Sequence, residues 1–232
     1  MPESPTMNVL VTGANRGIGL SWARAFRKRD DKVFGTAREP GGADDLREIG
    51  AQVEELDVTD DASVAMLAER LRGVPIDLLI LNAGILRRDI ADTVDAALMM
   101  RQFDTNALGP LRVALALRPN LALAEAAASD RKPAVVAMTS RMGSIADNTS
   151  GGFYGYRTSK AALNAVMKSI SIDFAPWPVV ILHPGYIATR MTGNQGDLGP
   201  DEAVDRMLSI VDRLDESMTG RFFHRDGHEL PW

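Results

Sequence analysis

Short apolar runs alternate with amphipathic stretches along most of the chain. Asn8 to Thr12 reads N-V-L-V-T and runs into a glycine-rich turn, the pattern of a strand buried on both faces of a parallel sheet. Ile18 to Arg29 then has helical spacing, with Ile18, Trp22, Ala25 and Phe26 on one face. The alternation continues through strand Lys32 to Ala37, helix Asp44 to Ile49 and strand Gln52 to Leu56. Helix Asp61 to Leu71 follows, with Thr59 or Asp60 as its cap, and then strand Ile76 to Leu81. Val94 to Asn106 and Leu108 to Ala128 both read as helix, and Pro119 should kink or break the second. Strand Ala134 to Thr139, helix Tyr156 to Phe174, strand Val179 to Leu182, helix Asp201 to Leu214 and strand Gly220 to Phe223 complete the series. Strands alternating with helices imply right-handed crossovers and a parallel sheet covered on both faces. The predicted fold is α/β and doubly wound, with about seven strands.

Composition narrows the function classes. The 232 residues are 45% hydrophobic and 25% charged, with no internal repeat and no low-complexity linker, so residues 1–232 are expected to form one domain. With 26 Lys+Arg against 31 Asp+Glu, the net charge of −5 leaves no basic footprint for nucleic acid. The absence of cysteine excludes disulfides, thiol nucleophiles and thiolate metal sites. Met1 to Met7 lacks the basic and apolar regions of a secretory signal, and no run reaches the ~18 apolar residues of a spanning helix. The expectation is a soluble, cytoplasmic protein without a membrane partner. His224 and His228 flank a turn-like Asp226-Gly227, so no metal site is expected.

The first turn carries chemistry. Between strand and helix stands T-G-A-N-R-G-I-G, from Thr12 to Gly19. Glycines there allow a sharp turn, close approach of a pyrophosphate and tight helix–strand packing, while the helix N-terminus offers free N–H groups to phosphate. This is the setting of a Rossmann-type dinucleotide site, with Gly13, Asn15, Arg16, Gly17, Ile18 and Gly19 as its candidates. The second strand ends Thr36-Ala37-Arg38, with Glu39 one step further. A carboxylate there would accept from a ribose 2′-OH, whereas an arginine can clamp a 2′-phosphate. Arg38, with Arg16 as a second cation, predicts NADP(H) in preference to NAD(H). In the alternative, Arg38 is a solvated charge and Glu39 takes the ribose.

A second constellation lies later in the chain. Ser140 ends the fifth strand, where open α/β sheets place ligands. Tyr156 and Lys160 are four apart at the head of a helix and so share a face. An ammonium beside a phenol should lower the phenol's pKa from about 10, so that it can exchange a proton with a carbonyl or alcohol oxygen. Ser140 could donate to the same oxygen.

Over essentially its whole length the chain resembles the classical short-chain dehydrogenases/reductases. The resemblance rests on Thr12 to Gly19, Asp57-Val58, Asn82-Ala83-Gly84, Asn106, Ser140, Y-R-T-S-K at Tyr156 to Lys160, and P-G-Y-I-A-T at Pro184 to Thr189. The run from Tyr156 to Asn164 and the ending F-F-H-R-D-G-H-E-L-P-W are most similar to the C-factor-like (C-signal) branch. The resemblance implies Tyr156 as general acid/base and Lys160 as the group that lowers its pKa and holds the nicotinamide ribose. It implies that Ser140 orients the substrate carbonyl and that Asn106 holds a water in a proton relay from Lys160. Asp57 and Val58 would flank the adenine, Asn82, Ala83 and Gly84 would lie along the cofactor, and Pro184, Gly185, Ile187 and Thr189 would close over the nicotinamide. For Asp57 a plain loop cap, for Thr59 or Ala62, is the competing reading. The short, glycine-rich segment between Thr189 and Asp201 suggests an open substrate site. In this family the helices matching Leu108 to Ala128 and Ala161 to Phe174 pair between subunits, which implies a homodimer or homotetramer. The implied activity is NADPH-dependent interconversion of a small carbonyl compound and its alcohol. The alternatives are a nucleotide-binding signalling protein of the C-factor type with little turnover, and an extended sugar-nucleotide epimerase, which the glycine spacing disfavours.

Overall fold

The sheet order is β3-β2-β1-β4-β5-β6-β7, and every strand pairs in parallel with its neighbours. The strands are β1 Asn8–Val11, β2 Lys32–Ala37, β3 Gln52–Glu55, β4 Leu78–Leu81, β5 Ala134–Met138, β6 Val179–His183 and β7 Phe222–His224. The helices are α1 Gly17–Arg27, α2 Asp44–Glu48, α3 Asp61–Arg70, α4 Ala96–Phe103, α5 Gly109–Ala116, α6 Arg118–Ala127, α7 Tyr154–Asp173 and α8 Pro200–Val211. This computed structural model describes residues 6–127 and 131–232; the sequence reading of residues 1–5 and the helix end at Ala128 lie outside the described residues. Among the described residues no helix is long and apolar enough to cross a membrane.

The period-2 alternation of the strands divides the core in two. Val9, Val11, Leu78 and Ile80 face one layer with Trp22, Phe26, Met207 and Val211. Leu10, Leu79, Leu81 and Val135 face the other with Leu67, Val113, Leu163 and Met167. Each such side chain, taken from water, contributes roughly 1.5–3 kcal/mol, so both faces of the sheet are well covered. The chain reverses its direction of winding between β1 and β4. That reversal opens a crevice at the carboxyl ends of the strands, the place where doubly wound sheets bind ligands.

Several boundaries differ from the sequence reading. The two long helical stretches are joined rather than separate. α4 starts at Ala96, where Asp95 accepts the Ala97 N–H at 2.8 Å, and passes into a π turn over Asp104–Leu108 before α5. The break falls at Leu117, and Pro119 is the second residue of α6, a position where its missing N–H costs nothing. β4 begins two residues late because the Ile76 N–H turns to the Asn120 carbonyl at 3.0 Å. β7 is displaced toward His224, because Gly220 (φ +67°) turns its N–H to the Val179 carbonyl. α7 begins two residues before Tyr156, which places Tyr156 inside its first turn. Asp60, one of two candidates, caps α3 through the Ala62 N–H.

Candidate active site

The glycine turn is stitched to the centre of the sheet. The Asn82 amide donates to the carbonyls of Thr12 (3.0 Å) and Gly13 (3.1 Å), and the Thr12 hydroxyl accepts the N–H groups of Asn82 (2.9 Å) and Ala83 (3.0 Å). The Gly13 N–H reaches the Thr36 hydroxyl at 3.2 Å. A Cβ on Gly19 would overlap the Gly13 carbonyl and the Asn82 amide. Gly19→Ala should therefore destabilise the protein by about 1–3 kcal/mol, lowering Tm by several degrees in a thermal melt and weakening any ligand held by the turn. α1 begins at Gly17 without a side-chain cap, so its first N–H groups have no side-chain acceptor there.

Gly13, Asn15, Arg16, Gly17, Ile18 and Gly19 all line one cleft, together with Arg38, Asp57, Val58, Asn82, Ala83 and Gly84. Arg16 and Arg38 are exposed along it, while the exposed Glu39 is not part of its wall. Asp57 accepts from the N–H (2.9 Å) and hydroxyl (2.7 Å) of Thr59. It is therefore a cap for its own loop as well as part of the cleft. Burial opposes its ionisation, but the Thr59 contacts with Arg38 and Arg101 nearby outweigh that and hold its carboxyl below the usual carboxylate range.

At the far end of the same cleft, Ser140, Tyr156 and Lys160 converge. The Ser140 hydroxyl accepts the Met142 N–H at 3.1 Å and adjoins the Tyr156 phenol. Lys160 is 5% exposed, and its ammonium donates to the Met138 carbonyl at 2.8 Å. The phenol shifts against the direction that its spacing from Lys160 predicts. Burial, only partly offset by Ser140, pushes the Tyr156 phenol up to about 12 rather than down. Burial also pulls Lys160 down to about 8. Lys160 Nζ sits 5.9 Å from the centre of the phenol ring and is committed to a carbonyl, so in the chain alone desolvation outweighs its attraction for a phenolate.

Asn106 lies in the π turn, fully buried. Its side chain accepts the Ile85 N–H (2.8 Å) and donates to the Ile85 carbonyl (2.9 Å) and the Ser159 hydroxyl (2.9 Å). It thereby ties the loop after β4 to the residue preceding Lys160. Pro184, Gly185, Ile187 and Thr189 form the opposite wall. Gly185 has φ +93°, and a Cβ there would fall on the Arg225 guanidinium, which donates to the Pro184 carbonyl at 2.9 Å. Tyr186 and Met191, each 45% exposed, stand at the rim of the short segment leading to α8. His183 also lines the cleft, and burial holds it neutral, pulled down to about 3. Its ring meets that of His224, which in turn stacks on His228 across the Asp226-Gly227 turn.

Three supporting side chains, those of Thr12, Thr139 and Asn164, are not among the candidates the sequence offers. The Thr12 hydroxyl joins the turn to β4. Thr139 donates to Asn164 at 2.7 Å, and the Asn164 amide reaches the Gly143 carbonyl at 3.4 Å, which anchors the segment after Ser140 on α7. Asn164 could have been found from its place four residues beyond Lys160, a polar side chain on the buried face of a helix.

The family described as short chain dehydrogenase matches residues 7–198. The chain is 39% identical over 233 residues to 1-hydroxy-2-glutathionyl-2-methyl-3-butene dehydrogenase of Rhodococcus sp. (strain AD45), covering 97% of this chain and 99% of that one. It is 46% identical over 162 residues to C-signal of Myxococcus xanthus, covering 68% of this chain and 93% of that one. Among solved structures it is similar to the carbonyl reductase Sniffer of D. melanogaster (TM-score 0.93, 30% identity, 98% of this chain and 100% of that one). It is also similar to an NADPH-bound carbonyl reductase from chicken fatty liver (TM-score 0.91, 34% identity, 99% of this chain and 100% of that one).

Proposed function

Because the chain belongs to the short-chain dehydrogenase/reductase family, we propose that it is an NADP(H)-dependent oxidoreductase that interconverts a small carbonyl compound and its alcohol. The observation that carries this reading is the convergence of Ser140, Tyr156 and Lys160 in one cleft at the carboxyl end of β5, with the Lys160 ammonium one helical turn beyond the phenol. The cleft fits the dinucleotide: α1 enters it without a side-chain cap, and Gly19 leaves no room for a side chain against the turn. Gly13, Asn15, Arg16, Gly17, Ile18 and Gly19 would hold the pyrophosphate, Arg16 and Arg38 the 2′-phosphate, and Asp57 and Val58 the adenine. Asn82, Ala83 and Gly84 would lie along the cofactor, Lys160 would hold the nicotinamide ribose, and Pro184, Gly185, Ile187 and Thr189 would cover the nicotinamide. When bound, NADP(H) supplies or accepts the hydride.

The chain's own residues handle the proton. Ser140 and Tyr156 would both donate to the substrate oxygen. Tyr156, protonated at neutral pH in its buried setting, would give up its proton as that oxygen gains charge in reduction. Lys160 would stabilise the resulting phenolate. Asn106 would serve as the polar end of a proton path from Lys160. Residues 1–232 would act as one domain. The exposed Leu115, Leu123 and Ile172 on α5, α6 and α7 would pair copies of the chain as a homodimer or homotetramer, which sedimentation at micromolar concentration tests. The likeness to C-signal favours a second reading, a nucleotide-binding signalling protein with little turnover.

The test is a thermal melt with NADPH and with NADH, followed by reduction of a panel of small ketones and aldehydes. Ligand at about 100 times its Kd should add roughly 2.7 kcal/mol of stability. A clear shift with NADPH, a small one with NADH, and consumption of NADPH with a carbonyl compound support the reading. Absence of a shift with either overturns it. Arg38→Asp should weaken NADPH by about 1–3 kcal/mol, on the scale of a lost charged contact, and spare NADH. An unchanged preference in competitive binding removes Arg38 from the 2′-phosphate site.

A further inference from the structure

α7 begins without a cap of its own. The residue before it, Phe153, lies in the left-handed region at φ +52° and supplies no side-chain acceptor. The first N–H groups of a helix need acceptors from outside it, and two of them find one 65 and 66 positions back in the chain. Asp89, 8% exposed, accepts the Tyr154 N–H on one carboxylate oxygen and the Gly155 N–H on the other, the latter at 3.1 Å. Its main-chain carbonyl takes the Phe153 N–H at 2.8 Å. A carboxylate at this end also complements the helix dipole.

Asp89 is in turn held rigidly. The loop that carries it leaves β4 and is pinned at Ile85 by Asn106, and at Arg87 by Gln102, whose fully buried side chain accepts the Arg87 N–H at 2.8 Å. Gln102 also lies against the start of α7, where a Cβ on Gly155 would collide with its amide. The loop therefore runs from the glycine turn to the head of α7 with a buried polar anchor at each stage. Tyr156 is the third residue of α7, inside the turn that Asp89 caps. Lys160 lies in the next turn and has its own anchor at Met138.

We propose that Asp89 is a positioning residue that fixes the phenol of Tyr156 against Ser140 by capping α7 from the loop after β4. The inference rests on the reading of Tyr156 as acid/base. It assigns to Asp89 the geometry of Tyr156 and not the hold on the cofactor, because Lys160 and the glycine turn are anchored separately. A catalytic group misplaced by ~1 Å costs about 10²-fold in rate, so loss of the cap should reach kcat well before it unfolds the domain.

The experiment compares wild type, Asp89→Asn, which keeps one acceptor oxygen, and Asp89→Ala, which keeps none. Each is assayed with NADPH and a nitrobenzaldehyde well below its own melting temperature. The expected result is graded: kcat falls about tenfold in Asp89→Asn and about a hundredfold in Asp89→Ala, with KM for NADPH within about twofold of wild type. Wild-type kcat in a folded Asp89→Asn overturns the proposal. So does a fall in NADPH affinity that parallels the fall in kcat, which would mark general loosening of the fold. Amide hydrogen exchange on the cofactor-free wild type gives a readout that needs no variant to fold and no substrate. The Tyr154 and Gly155 amides should exchange as slowly as those in the middle of α7, and exchange at the rate of a frayed helix end overturns the cap. Full turnover by Tyr156→Phe would instead defeat the acid/base reading while leaving the exchange result intact.

Discussion

Tyr156→Phe should lower the rate of carbonyl reduction by about 10³-fold, in the middle of the range that a positioned acid contributes, while NADPH affinity stays within about twofold. The substitution removes one hydroxyl and leaves the ring where it is. That hydroxyl adjoins Ser140, whereas the glycine turn is held by Thr12, Thr36 and Asn82, so the binding and proton-transfer contributions separate. The direction of the pKa shift adds a second expectation. Burial pushes the phenol up to about 12, so the protonated form that reduction needs is abundant throughout the neutral range. The phenolate that alcohol oxidation needs is scarce there. Oxidation should therefore climb with pH between neutrality and about pH 10, where reduction does not. Parallel pH–rate profiles in the two directions check this, and wild-type reduction by Tyr156→Phe would defeat the acid/base reading of Tyr156.

Lys160→Met should make the cofactor-free protein more stable while reducing turnover by at least about 10²-fold. Lys160 is 5% exposed and is pulled down to about 8 from 10.5 by burial. The shift corresponds to a cost of about 3 kcal/mol for holding the ammonium inside the fold at neutral pH. Methionine fills similar space without a charge, so Tm should rise by roughly 5–10 °C for a domain of this size. The sign with pH follows from linkage. Between pH 8 and 10.5 the unfolded chain keeps a proton on this lysine that the folded chain has lost, so wild-type stability rises with pH across that window. The advantage of Lys160→Met is therefore full below pH 8 and mostly gone by pH 10. Melts at pH 7 and pH 10 decide it, and an equal or lower Tm for Lys160→Met at pH 7 means that the Met138 contact outweighs the desolvation.

Much of this architecture is legible in the sequence because it rests on local signals. Continuous apolar runs mark the strands, and glycines mark the turn at Gly13 to Gly19. The four-residue step from Tyr156 to Lys160 places both on one face, and the structure brings them together with Ser140 in a single cleft. What escaped depends on contacts distant in sequence. The π turn at Asp104–Leu108 has no signature in a 3.6-residue period; it coincides with Asn106 meeting Ile85 and Ser159. The start of α7 at Tyr154 is hidden in the sequence because no capping residue precedes it, its acceptor being Asp89. The sequence predicts the wrong direction for the Tyr156 shift because spacing gives a neighbour's charge but not the depth at which both groups lie.

The stitching of the glycine turn also bears on when a ligand can first be recognised during synthesis. β1 pairs with β4 across some 70 residues, and Thr12 and Asn82 close that seam. The glycine turn precedes its far support in the chain, which is made only after β2, α2, β3 and α3 have emerged. A dinucleotide held at this turn would therefore not find its full support in the first βαβ unit alone. It would stabilise a chain whose central seam has closed, as a selective stabiliser of the finished half-sheet rather than a guide to its assembly.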